Sequence, residues 1–169
     1  MVLKPNQNLV AVDTNVALDF AKGVGDVCDA IATIRSRVAG VELLITPTAA
    51  EELAHAMFNS PDPGVRVAAA KVLRDRSLGF RILNFIPLGF EQVDRIAARL
   101  RQAGLLPDEE VHDSLVVTEA AAMDCTLLTS SDKHFRDIDH SKLSKELAAF
   151  DLKAPMIATP REIVRKFFR

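Results

Sequence analysis

The sequence predicts an α/β fold, namely a three-layer αβα sandwich around a central parallel sheet, in one domain that spans residues 1–169. Short buried-strand patterns alternate with amphipathic helical patterns, and this alternation is typical of a parallel sheet that helices cover on both faces. The length is that of one ordinary domain, and a hydrophobic fraction of 49% is enough for a sizeable core. No Gly/Ser-rich or Pro-rich tract interrupts the chain, so we expect no flexible linker.

The N-terminal part of the chain predicts a βαβ unit. Residues 8–13 (NLVAVD) and 41–46 (VELLIT) each have the apolar pattern of a short buried strand. Residues 26–38, between them, have apolar residues at helical spacing. Parallel strands need a crossover of this kind, so we expect both strands to belong to one sheet.

Two helices and one ambiguous segment follow this unit. The first helix starts at a Thr-Pro pair, and Thr48 and Glu51 have the spacing of a capping box in its first turn. The sequence Pro-Asp-Pro-Gly at 61–64 breaks the chain, and helical spacing resumes over residues 65–76. Residues 80–88 fit either a strand or a loop.

The C-terminal part continues the alternation of helices and strands. Its helices show helical spacing of apolar residues, and Gly104 ends the first of them. Thr159 and Glu162, on either side of Pro160, predict the capped start of a closing helix. The expected elements are a helix over 90–103, a helix over 107–123, a strand over 125–132, a helix over 140–150, a strand over 154–159 and a helix over 159–169.

Four acids stand at matching places in this pattern. Asp13 ends the first strand, and Asp132 lies just beyond the strand TLLT. Glu52 follows the second strand at the start of a helix, and Asp113 lies near the start of the helix before TLLT. Because ligand sites gather beyond the carboxyl ends of parallel strands, we expect the four side chains to converge. Four neighbouring carboxylates would protonate unless a cation neutralised them, and Mg²⁺ or Mn²⁺ suits such ligands.

Three segments resemble motifs of the PIN-domain nucleases, a family that includes the VapC-type toxins of bacterial toxin–antitoxin pairs. The segments are VDTNVALDF at 12–20, TPTAAEEL at 46–53 and HDSLVVTEAAAMDCTLLTSSDKHF at 112–135. The resemblance implies a PIN-like parallel αβα fold and Mg²⁺- or Mn²⁺-dependent cleavage of RNA. It also implies an antitoxin protein as partner and a homodimer. Carried over position by position, the catalytic, metal-binding acids are Asp13, Glu52, Asp113 and Asp132.

The chain departs from the family pattern at two places. The family has one residue between Thr and the last Asp, whereas two residues follow Thr129 here, so Ser130 is the candidate for the role of that Thr. The family spacing selects Glu52, while its neighbour Glu51 fits the capping box. Asn15 is a second candidate of the site, either holding an acid by a hydrogen bond or capping the next helix.

The composition and a few sequence features argue against several classes of protein. A formal net charge of −2 argues against a protein that coats DNA, because phosphate binding needs clustered cations. The lack of Trp and Tyr disfavours a binder that stacks single-stranded bases on aromatic side chains. Cys28 and Cys125 are too few for a disulfide framework or a zinc site. We see neither a signal peptide nor an apolar run of the ~20 residues that span a bilayer, so we expect a cytoplasmic protein with no membrane contact.

The remaining candidate residues receive simpler interpretations. His112 and His134 are expected at the surface or beside the acids, because carboxylates and a metal already supply the chemistry. Phe167 and Phe168 are expected in the core or at a dimer contact. The candidate phosphate contacts are residues 74–76, Arg95, Arg99, Arg101 and the tail 165–169.

The sequence is also compatible with two other functions of a PIN domain. A PIN domain acting in RNA processing would keep the same acids without an antitoxin. A non-catalytic PIN-fold scaffold would bind RNA or protein through the same surface without a metal.

Overall fold

The computed structural model describes residues 8–167, apart from the side chain of residue 167. Within these residues, five strands form a single sheet in the order β3-β2-β1-β4-β5, and every neighbouring pair is parallel. The strands are β1 (Asn8–Val12), β2 (Val41–Ile45), β3 (Phe80–Ile82), β4 (Leu127–Thr129) and β5 (Met156–Ala158).

Nine α-helices in the described residues flank this sheet. They are α1 (Thr14–Lys22), α2 (Gly25–Arg37), α3 (Pro47–Asn59), α4 (Pro63–Arg74), α5 (Phe90–Gln102), α6 (Val111–Ala122), α7 (Lys133–Arg136), α8 (His140–Ala148) and α9 (Pro160–Phe167). The predicted three-layer αβα sandwich with a central parallel sheet is therefore confirmed. No helix of the described region has the length and apolar character needed to cross a bilayer.

The core consists of the central strands and the helices that pack on them. Val10, Ala11 and Val12 of β1 are buried, as is Leu128 of β4. α6 is buried over most of its surface, from Ser114 to Ala121 with one half-buried exception. Strands buried on both faces read as continuous apolar runs, which is why the sequence pattern identified β1 and β2.

The structure adds two helices that the sequence analysis did not predict, α1 and the four-residue α7. β1 ends at Val12, one residue earlier than expected, and Asp13 caps α1 by accepting a hydrogen bond from the backbone N–H of Thr14. Gly23 ends α1 with a left-handed φ of 80°. The ambiguous segment 80–88 resolves into the three-residue β3 followed by irregular chain.

One predicted cap is wrong and another is confirmed. Thr48 lies inside α3, and both its backbone N–H and its hydroxyl donate to Glu119 of α6, so Thr48 and Glu51 form no capping box. At α9, Thr159 and Glu162 do form one, with the Glu162 carboxylate accepting from the Thr159 N–H at 2.8 Å. The prediction for Phe168 lies outside the described residues, and that for Phe167 concerns a side chain that is not described.

Candidate active site

An open cleft of about 630 Å³ lies at the carboxyl edge of the sheet. The ends of β1 and β4 and the starts of α3 and α6 contribute to its wall, as expected for parallel strands followed by helices. All four acids singled out from the sequence line this cleft, and so does Glu51. The five acids are Asp13, Glu51, Glu52, Asp113 and Asp132.

Asp13 is the most deeply buried of these acids, with 5% of its surface exposed. Its backbone N–H donates to the carbonyl of Thr129 at 3.0 Å, which joins the end of β1 to the end of β4. One carboxylate oxygen accepts the Thr14 N–H at 2.8 Å and the other accepts the Ser130 hydroxyl at 2.7 Å. Burial raises the pKa of Asp13 to about 6, against the lowering effect of the bonds from Ser130 and Thr14.

The Ser130 hydroxyl joins Asp13 to the turn that carries Asp132. Besides donating to Asp13, it accepts the backbone N–H of Asp132 at 3.0 Å. Asn15 supports the same turn, because its side-chain amide oxygen accepts the Ser131 backbone N–H at 3.2 Å. The structure thus places Ser130 in contact with Asp13, where the sequence motif calls for a hydroxyl. Asp132 itself caps α7 by accepting the N–H of His134.

Glu52 faces the cleft between two side chains that the sequence analysis did not connect to it. The Thr14 hydroxyl donates to one carboxylate oxygen, and His112 Nδ1 lies 3.0 Å from the other. Glu51, one residue earlier, is exposed and makes no hydrogen bond that would cap α3. The geometry therefore separates the two neighbours, with Glu52 held in the cleft wall and Glu51 at its rim.

Asp113 lies in the first turn of α6 and is half-buried. Its Oδ2 atom is buried and has no hydrogen-bond partner among the described residues. Burial raises the pKa of Asp113 to about 7, and the charges of Asp13 and Asp132 add to this effect. An acceptor oxygen left without a donor, among other carboxylates, lacks the positive charge that would stabilise it.

These properties fit a hard divalent cation. The donor set consists of carboxylate oxygens, which suit Mg²⁺ and Mn²⁺, and Asp113 Oδ2 accepts no hydrogen bond from residues 8–167. Within residues 8–167, no group of three or more His, Cys, Asp or Glu side chains is already arranged to hold a metal ion. Carboxylates that repel one another keep apart, so a cation would have to draw these rotatable side chains together.

None of the predicted basic contacts that the structure describes lines this cleft. No Lys or Arg is among the described residues that line it. Arg99 instead pairs with Glu146 at 2.8 Å, and Arg101 donates to the Ser114 hydroxyl. Arg95 is solvent-exposed on α5. The basic groups that do line the cleft are two imidazoles.

Those imidazoles belong to His55 and His112. His134 does not line the cleft and lies 3.3 Å from a carboxylate oxygen of Glu110. Sequence reasoning considered His112 only as a neighbour of Asp113 and missed His55 and Thr14 as cleft residues. The positions of His55 and Thr48 follow from Glu52, since residues three and four apart share one face of a helix.

Two solved structures share the fold. A chain of the VapBC2 complex from Rickettsia felis, bound to a promoter DNA fragment, matches with a TM-score of 0.60 and 13% identity, covering 89% of this chain and 98% of that one. A chain of VapBC-1 from nontypeable Haemophilus influenzae matches with a TM-score of 0.55 and 12% identity, covering 90% and 98%. At such identities the likeness concerns the fold. No curated protein matches the sequence.

The family model of the PIN domain matches residues 10–141. This match runs from β1 into α8 and contains every acid of the cleft. It also contains the Ser130 turn and the buried helix α6. With more than half of its length matched and the acids of three separate segments lining one cleft, the chain belongs to the PIN domain family, whose members are generally nucleases.

Proposed function

We propose that the protein is a Mg²⁺- or Mn²⁺-dependent endoribonuclease that hydrolyses phosphodiester bonds of RNA, using Asp13, Glu52, Asp113 and Asp132. The observation that carries this proposal is the gathering of acids in one cleft, two of them with raised pKa values. Such a cluster destabilises the protein on its own, and perturbed carboxylates in a cleft are typical of functional sites. Membership of a family of nucleases supports the same reading.

Asp13, Glu52, Asp113 and Asp132 would hold the cation, directly or through water. When bound, it lowers the pKa of a water molecule and stabilises the charge on the phosphate. The protein's own contribution is orientation: hydrogen bonds from Ser130 and Thr14 hold the Asp13 carboxylate.

Asp113 is suited to a second task besides holding the cation. Its Oδ2 atom has no partner in the described region, so it can accept a hydrogen bond from a water molecule that attacks phosphorus. In the reaction, the water oxygen forms the new bond to phosphorus while the bond to the leaving ribose oxygen breaks. The water proton that Asp113 accepts passes on to solvent, and the leaving ribose oxygen takes up a proton from solvent, because the cleft is open.

We also propose that the protein acts as the toxin of a two-gene system and binds an antitoxin. The fold it shares with chains of two VapBC complexes supports this. A second support is exposed apolar surface on two helices that pack together, where Phe58 of α3 is 72% exposed and Val67 of α4 is 69% exposed. If these side chains form one continuous apolar patch, that patch is where we expect the antitoxin to bind. The cytoplasm is the compartment that this role requires.

The experiment that tests the proposed activity compares wild type with Asp113→Asn on a panel of cellular RNAs. Cleavage is measured with Mg²⁺, with Mn²⁺ and with EDTA. We expect wild type to cut in either metal and not in EDTA, and Asp113→Asn to lose cleavage while circular dichroism shows an unchanged fold. Cleavage in EDTA, or full activity of the variant, would contradict the proposal. RNA binding without cleavage in any metal would indicate a scaffold.

A further inference from the structure

Glu119 is a buried acid that the proposed mechanism does not use. It lies on α6, six residues beyond Asp113, and 5% of its surface is exposed. The other buried residues of α6 are apolar, Ser or Thr, so Glu119 is the one ionisable side chain among them. Burying a carboxylate in such surroundings is costly unless hydrogen-bond donors compensate it. The partners of Glu119 therefore have to account for its presence.

Both partner groups come from one residue at the start of a different helix. Glu119 Oε1 accepts the Thr48 hydroxyl at 2.8 Å, and Oε2 accepts the Thr48 backbone N–H at 3.1 Å. Thr46, which precedes α3, makes no side-chain cap bond, so α6 supplies an acceptor that α3 does not supply for itself. The positive end of the α3 dipole adds to the attraction. Burial raises the pKa of Glu119, and the bonds from Thr48 together with the nearby Thr46 hydroxyl oppose that rise.

The position of this contact relative to the cleft gives it a second consequence. Thr48 and Glu52 are four residues apart on α3, so they lie on the same helix face, and both line the cleft. Glu119 and Asp113 lie on the same helix α6. The bond pair between Glu119 and Thr48 thus joins the helix that carries Glu52 to the helix that carries Asp113, one turn away from Glu52.

We propose that Glu119 is a positioning residue whose two hydrogen bonds to Thr48 fix the distance between Glu52 and Asp113, and thereby the affinity of the acidic cleft for a divalent cation. This inference rests on the proposed function, because it assigns Glu119 a task at the same site. Groups that orient the ligands of a metal affect its affinity strongly although they do not touch it.

Amino-acid changes can separate the hydrogen bonds from the charge. In Glu119→Gln the amide oxygen accepts the Thr48 N–H, and the Thr48 hydroxyl rotates to accept from the amide nitrogen, so the two helices stay joined. In the double variant Glu119→Leu/Thr48→Val both bonds are lost, while similar volumes fill the space. Its remaining cost is one buried N–H without an acceptor, on the order of 1–3 kcal/mol, which leaves an ordinary domain folded.

A matched control loses stability at a place that does not touch the cleft. Asp139 caps α8 by accepting the Lys142 N–H at 3.1 Å, and α8 contributes no residue to the cleft. Asp139→Ala should cost about 1 kcal/mol. Thr48→Val alone is an intermediate variant, in which Glu119 loses the bond from the hydroxyl and still accepts the backbone N–H of residue 48.

The test is a calorimetric Mn²⁺ titration of these proteins, with amide hydrogen exchange of the first turn of α3 as a metal-free measurement. We expect the double variant to bind Mn²⁺ about tenfold more weakly or worse. The same variant should exchange the first-turn amides of α3 faster. Glu119→Gln and Asp139→Ala should bind like wild type, and Thr48→Val, which keeps one of the two bonds, should bind with an affinity between those of wild type and the double variant.

Three results would overturn this proposal without touching the proposed function. If the double variant binds Mn²⁺ like wild type, or if Glu119→Gln binds as weakly as the double variant, the hydrogen bonds do not position the ligands. If Asp139→Ala weakens binding equally, lost stability alone explains the effect. Each of these leaves the proposed function intact, provided that wild-type binding requires Asp13. Wild type that binds no Mn²⁺ would contradict the proposed function and this inference together.

Discussion

Asp13 combines a structural and a chemical task in one side chain. As the cap of α1 it accepts the Thr14 N–H. As a cleft residue it is buried, which raises its pKa, and the charges of Glu52 and Asp132 add to that rise. An asparagine can keep the cap, because its amide oxygen accepts the same N–H. It cannot keep the charge. The two tasks can therefore be separated by a single substitution.

The first prediction concerns Asp13→Asn. We expect the variant to bind Mn²⁺ about tenfold more weakly or worse, because it loses one anionic ligand. Its melting temperature in EDTA should equal or exceed that of wild type, since one member of a repelling cluster has been neutralised. Calorimetry and thermal unfolding measure the two quantities. Equal Mn²⁺ affinity in both proteins would remove Asp13 from the metal site.

The second prediction compares two neighbours, Glu51→Gln and Glu52→Gln. Glu52 is held by Thr14 and His112 in the cleft wall, so its amide variant should lose RNA cleavage. Glu51 is exposed and does not cap α3, so its variant should still cut RNA. The free energy of unfolding of this variant should lie within about 0.5 kcal/mol of that of wild type. RNA cleavage and thermal unfolding of both variants decide the matter. Loss of activity in Glu51→Gln alone would show that the acids had been assigned in the wrong order.

Among the elements, strands were easier to predict than the caps of helices. The strands β1 and β2 are buried on both faces, so their apolar runs were visible in the sequence. Helix α1 was missed because its start depends on Asp13, which looked like a strand-end acid with a chemical role. The cap at α3 was wrong because the acceptor for Thr48 comes from α6, 71 residues away in the chain.

In the site, too, local patterns were predictable and contacts between distant segments were not. The four acids follow from strand ends and motif spacing, and the fold brings them to one cleft. Contacts between separate segments, such as Thr14 with Glu52, have no signature in the local sequence. The basic residues of α5 suggested phosphate contacts, yet Arg99 and Arg101 pair with side chains of α8 and α6 instead.

The third prediction concerns the cap of α9. Thr159→Ala removes the hydroxyl that accepts the Glu162 N–H, and α9 packs on α2, away from the acidic cleft. We expect a loss of about 1 kcal/mol in the free energy of unfolding, with Mn²⁺ affinity and RNA cleavage unchanged. Denaturant unfolding and calorimetry measure these effects. A large loss of cleavage would mean that α9 influences the site, contrary to this account.

For the whole molecule, the fourth prediction is a dependence of stability on pH. Burial and neighbouring charges raise the pKa of Asp13 from 3.8 to about 6 and that of Asp113 from 3.8 to about 7. The folded state therefore binds more protons than the unfolded state between about pH 4 and pH 7, and the free energy of unfolding falls as pH rises through this window.

Thermal unfolding in EDTA measures this effect with wild type and the double variant Asp13→Asn/Asp113→Asn. The melting temperature of the variant, relative to wild type, should rise across the same window and then level off, because the variant lacks both titrating groups. A constant difference between the two proteins at every pH would contradict the assignment of the raised pKa values.

The fifth prediction concerns assembly. We propose a homodimer, on the basis of exposed apolar side chains that include Phe85 at 67% and Phe90 at 75% exposure. Light scattering should report twice the mass of the chain, which is 18.5 kDa. Ordinary specific contacts are populated at tens of micromolar, so a monomer at that concentration would be the contrary result.

The fold gathers four carboxylates in one cleft, and we propose that they hold a divalent cation. A crystal soaked in Mn²⁺ tests it most directly, because anomalous scattering locates the ion without assumptions about activity. We expect a Mn²⁺ peak in the cleft, within about 2.5 Å of carboxylate oxygens from at least two of Asp13, Glu52, Asp113 and Asp132. A cleft without a peak at saturating Mn²⁺, or ordered Mn²⁺ only at other surfaces, would contradict the claim.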